Sequence, residues 1–107
     1  MAYKSKKDEQ LNLTEDTAGT QQDAQGYREC YVHLIPTDVS GTPDILIQTS
    51  NRGGTTDANW ITLTTVAISD TTQKGYDTAV FGRYLRCYAD LTTGETLGYV
   101  AYYEFKA

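Results

Sequence analysis

Side chains of one kind recur at every second position along much of this chain. Cys30, Val32 and Leu34 alternate with Glu29, Tyr31 and His33, and Leu85, Cys87 and Ala89 alternate with Tyr84, Arg86 and Tyr88. Near the C-terminus Tyr99, Ala101, Tyr103 and Phe105 share one phase. A period of two is the mark of a strand, because successive side chains point to opposite faces. No segment carries a credible helical pattern. The alternation predicts six short strands: Arg28–Ile35, ended by Pro36, then Asp44–Ser50, Trp60–Ile68, Tyr76–Phe81, Arg83–Asp90 and Leu97–Phe105. Turn chemistry separates them, with Gly41, Pro43, Gly53, Gly54, Gly75 and Thr93-Gly94 between the runs. Many short strands without helices predict an all-β fold, a small antiparallel β-sandwich of jelly-roll type. Its inter-sheet core is predicted from Val32, Leu34, Ile45, Ile47, Trp60, Leu63 and Leu85, the large apolar groups in the strand phases.

Composition agrees. The 107 residues hold nine Tyr, one Trp and only two Pro, and length allows a single domain. Tyr and Thr suit a pleated, half-buried surface. Residues 1–26 differ from the rest. Their large apolar groups are Met1, Tyr3, Leu11 and Leu13, set among charges and a polar stretch from Thr17 to Gly26. Such a segment has little to bury against its ordering entropy. It is expected as an extended or disordered N-terminal arm, with residues 27–107 as the sandwich domain.

Chemistry is nearly silent. His33 is the single histidine and lies mid-strand, with no G-x-S-x-G elbow in the chain. The aspartates fall at loops and strand ends without a calcium-loop pattern, and two Cys with one His cannot complete a zinc set. No catalytic residue, metal ligand or cofactor is expected. The net charge of −5 repels phosphate, so Arg83 and Arg86 beside Tyr84 and Tyr88 are expected to pair with the rings rather than bind nucleic acid. No apolar run of membrane length is present. No apolar segment follows the basic start, so the default is a reducing compartment and two free thiols, Cys30 and Cys87, pointing inward; a bond between them stays open if their strands are neighbours.

The tyrosines are the most informative surplus, because Tyr31, Tyr84, Tyr88, Tyr102 and Tyr103 cannot all be core. Tyr joins an apolar body to a polar tip and is enriched at protein contacts. The arm offers Tyr3, Leu11 and Leu13 as apolar anchors and Lys4, Lys6 and Lys7 as a charged tip. With Tyr31 and Tyr102 these form the expected partner-binding set.

Three stretches carry a resemblance: Ile45-Leu46-Ile47-Gln48-Thr49-Ser50-Asn51, then Trp60-Ile61-Thr62-Leu63, then Gly82-Arg83-Tyr84-Leu85-Arg86. The pattern is similar to discoidin-like (galactose-binding-like) domains, where a Trp opens one strand and Gly-Arg-Tyr-Leu-Arg begins a later one. It resembles equally the small structural proteins of tailed-phage virions, including head decoration and cement proteins. The likeness spans roughly residues 44–90. The loop from Arg52 to Asn59 is longer than in the discoidin pattern and lacks its Asp-Gly, so no sugar or calcium residue carries over. The resemblance implies a non-enzymatic virion protein, made in the host cytoplasm. It would decorate a capsid surface as a homodimer or homotrimer, in contact with the major capsid protein or other virion subunits. The alternative is a carbohydrate-binding module of a phage tail or adhesin-type protein, its exposed tyrosines stacking on sugars.

Overall fold

The computed structural model describes residues 3–107. Met1 and Ala2 of the expected arm lie outside the described residues. Among those described, nine strands make two antiparallel sheets. They are β1 (Tyr3–Leu13), β2 (Thr17–Ala18), β3 (Gln22–Asp23), β4 (Glu29–Ser40), β5 (Asp44–Ser50), β6 (Ile61–Ala67), β7 (Lys74–Ala79), β8 (Tyr84–Asp90) and β9 (Thr96–Lys106). One sheet has the order β1-β9-β4-β7; the other runs β2-β8-β5-β6, with β3 also on the edge of β8. The architecture is the expected β-sandwich.

The core lies where the alternation placed it. Cys30, Val32 and Leu34 from β4 face Ile45 and Ile47 from β5 and Leu85, Cys87 and Ala89 from β8, and all are fully buried. Tyr99, Ala101, Tyr103 and Phe105 of β9 fill the same layer, and Leu63 packs on its margin. Cys30 and Cys87 are unbonded, and burial pushes both thiols up to about 12. Trp60 is a correction. It is buried but stands apart from the core cluster, with its ring 4.3 Å from the Arg86 guanidinium. Pro36 is another. It was expected to end its strand, yet β4 continues to Ser40 through an irregularity between Pro36 and Asp38. Beyond Leu34, opposite Lys74, β7 no longer pairs with β4, and a proline is tolerated on such an edge.

The largest correction concerns the arm. Residues 3–13 form β1, which runs antiparallel to β9 from Tyr3 opposite Lys106 to Leu13 opposite Leu97. Segment 14–26 then crosses to the second sheet and lines β8 through β2 and β3. The arm is extended, as one alternative held, but it is part of the sandwich and 26/27 is no domain boundary. Counting apolar groups missed it because β1 is held by a backbone ladder, and only Leu13 packs on the core. The ladder shifts register between Gln10 and Leu13, where Asn12 takes a left-handed φ of 57°. Asn is among the few side chains that tolerate that conformation.

Candidate functional site

The core-facing residues of β9 and β4 leave the alternate set on the outer face of the four-stranded sheet. Register places Lys7, Tyr102, His33 and Gly75 in one transverse row, and Ser5, Glu104, Tyr31 and Asp77 in the next. The His33 ring lies 6.3 Å from Tyr31 on one side and 6.3 Å from Tyr102 on the other. A continuous aromatic strip thus crosses the two central strands. Two details fix it. A Cβ on Gly75 would meet the Tyr31 hydroxyl, so the glycine leaves the space in which Tyr31 lies over β7. His33 Nε2 is 2.8 Å from Gln73 Oε1, which holds the imidazole. Val100 and Ile35 extend the strip, and they too face each other across the β4–β9 ladder.

Charge frames the strip. The Tyr3 hydroxyl donates to Glu104 Oε2, and Ser5 Oγ donates to Glu104 Oε1 at 3.1 Å. The bond to Glu104 raises the Tyr3 phenol above its ordinary value. Lys7 and Glu9 stand on the same side of β1. Such a face joins flat aromatic area to hydrogen-bonding rims, as contact surfaces do.

The expected partner-binding set divides here. Tyr3, Lys7, Tyr31 and Tyr102 share this face. Lys4 and Lys6 are in the opposite phase of β1. Lys4 leans inward, with its ammonium 5.0 Å from the Tyr27 ring and 4.8 Å from the Phe105 ring, and it donates to the Asp23 carbonyl. Leu13 packs against the core, while Leu11 is exposed near Gly98, toward the other end of the sheet. The six arm residues therefore do not act as one surface. Glu104 is the member that sequence reasoning passed over, while His33 was read as a solvent- or interface-facing strand position but left out of the partner-binding set. Their phase, opposite to Val32 and to Tyr103, was the available signal.

A second cluster sits on the outer face of the other sheet. Arg86 lies between the Trp60 and Tyr88 rings at 4.3 and 5.3 Å, as the expected pairing with aromatics required. Its Nε donates to Gln48 Oε1 at 2.8 Å and its Nη2 to Asp57 Oδ1 at 3.0 Å. The loop carrying Asp57 and Trp60 is pinned over it, with Trp60 Nε1 donating to the Gly54 carbonyl. Nε and Nη2 of this arginine are both engaged, one by a buried glutamine and one by the loop aspartate, so the cluster anchors the loop.

Among the described residues no three His, Cys, Asp or Glu side chains come together as a metal set, and no helix is long and apolar enough to cross a membrane.

No family model matches the chain, and no curated protein matches it. Its fold is similar to a solved chain from the Bacillus endospore appendages, described as a novel family of disulfide-linked pili. That likeness has a TM-score of 0.63 at 8% identity, over 98% of this chain and 87% of the other. At that identity the two share a fold, an antiparallel β-sandwich.

Proposed function

We propose that this chain is a non-catalytic structural subunit that docks the outer face of its four-stranded sheet onto another protein of a large assembly. The observation that carries the proposal is the Tyr31–His33–Tyr102 strip, an aromatic face built by register and held in place by Gly75 and Gln73. Large, rigid aromatic groups supply most of the energy at protein contacts. Decoration of a capsid, as dimers or trimers against the major capsid protein, is the form that the phage-like sequence pattern favours. Membership of an appendage is the form that the fold likeness favours. Both use the same face. The pili of the structural neighbour are disulfide-linked. Here Cys30 and Cys87 are buried in the core, so neither is placed to form a disulfide across the contact.

One test is the sedimentation of the native chain from the cells that make it. The expected result is migration with a particle many times its own mass, lost in a Tyr31→Ser/Tyr102→Ser variant that melts like the parent. Migration as a free small protein would overturn the proposal. The same strip also favours a second reading, sugar stacking, and a response on a glycan panel that the double variant abolishes would put that reading in its place.

A further inference from the structure

The strands run along the long dimension of a body measuring 42 × 28 × 18 Å, so the loops gather at two ends. One end carries segments 14–16, 41–43, 68–73 and 91–95. It holds Glu15, Asp16, Asp38, Asp44, Asp70, Asp90 and Glu95, and the nearest cation is Lys74 at the start of β7. Burial and the neighbouring Asp16 and Asp44 charges raise the Asp90 carboxyl above its ordinary value. The other end carries segments 24–28, 51–60 and 80–83. There Asp23 is paired with Arg83 and Asp57 with Arg86. Arg28, Arg52 and Lys106 have no ion-pair partner among the described residues, although Glu29 and Asp77 lie on the adjoining sheet face.

That second end also carries the apolar surface. Phe81 is 69% exposed and Ile61 67% exposed, and both line one groove with Asn51, Arg52, Ala58 and Gly82. Two exposed large apolar groups thus share one groove with an arginine. The molecule carries the complementary surface on its own far end.

We infer that copies of this chain associate end to end, the Ile61/Phe81 groove and Arg52 of one copy seating the acidic end, segments 14–16 and 91–95, of the next. Two acidic ends repel each other, whereas an acidic end is attracted to the Arg52 groove, so the contact is heterologous. It leaves one acidic and one basic end open, and it grows into rows rather than closing as a twofold dimer. The contact uses none of the sheet-face residues of the proposed function, so either proposal can fail alone.

Sedimentation velocity of the full chain over a wide concentration range tests it. Elongated species that grow with concentration are expected at about 0.02 M salt, with association at least about tenfold weaker near 1 M, where charges are screened beyond about 3 Å. Phe81→Ser, Arg52→Glu and the pair Glu15→Lys/Asp90→Lys should each weaken association by about tenfold or more without lowering the melting temperature. Mixing the Arg52→Glu chain with the Glu15→Lys/Asp90→Lys chain should restore alternating rows. A monomer at every concentration in low salt would overturn the inference. So would association that ignores both salt and Phe81→Ser, or association lost in Tyr31→Ser/Tyr102→Ser, which would move the contact to the sheet face.

Discussion

Arg86 is only 2% exposed on a sheet face that would otherwise meet water. What keeps a guanidinium there is a Trp ring, a Tyr ring and a buried glutamine, and Asp57 adds little because it is largely exposed. Replacing Arg86 by Met removes a desolvated cation–π contact of about 2 kcal/mol and strands Gln48, at a further cost of about 1–3 kcal/mol. The expected loss is about 3–5 kcal/mol, seen as a lower melting temperature and altered Trp60 fluorescence; a melt within a degree of the parent would refute it. In the core, Leu85→Ala should cost about 2–5 kcal/mol. The thiols predict a pH effect. Both are raised in the folded state from an ordinary 9.0 to about 12, so their contribution to stability is complete below pH 9 and falls as pH rises toward 12. Each thiol should remove about 1.4 kcal/mol per pH unit above that point. Urea melts at pH 8 and pH 10 should show the loss, and Cys30→Ala/Cys87→Ala should flatten it. The inward phase of these cysteines and of Leu85 was legible from alternation alone. Trp60 was not, because its partner Arg86 is distant in sequence and a large apolar group at a strand start reads as core.

At the scale of elements, the six strands expected from residue 28 onward all form, because each carries its own apolar phase. β1 carries none. Its inward positions are Lys4, Lys6, Asp8 and Gln10, and Asp8 is 5% exposed while it accepts from the Thr20 amide and Gln10 Nε2. Inward charges on an edge strand resist further pairing, a recognised guard against aggregation. Backbone pairing is invisible to a hydrophobicity count, which is why the segment read as an arm. Deleting residues 1–13 bares the β9 edge and removes the acceptor for Thr20. The truncated chain should melt at least about 10 °C lower, equivalent to a few kcal/mol in a domain of this size, and should aggregate at the exposed edge. An unchanged melt would mean that β1 is dispensable to the sandwich.

At the scale of the whole molecule, the chemistry-bearing residues are spread over the faces and ends of the two sheets. The tyrosine surplus raised the expectation of a contact surface, since those rings cannot all be core. It did not disclose which tyrosines share a face, since that depends on the β4–β9 register. Tyr31 neighbours His33 along β4 itself, but Tyr102 comes opposite His33 only through that register. Hydroxyl-radical footprinting of the chain, free and within its native particle, tests the central claim most directly. Tyr31, Tyr102 and Tyr3 should oxidise readily in the free chain and be protected in the particle, while core Tyr99 and Tyr103 stay inert in both. Equal oxidation of Tyr31 and Tyr102 in the free and particle-bound chain would show that this face touches nothing.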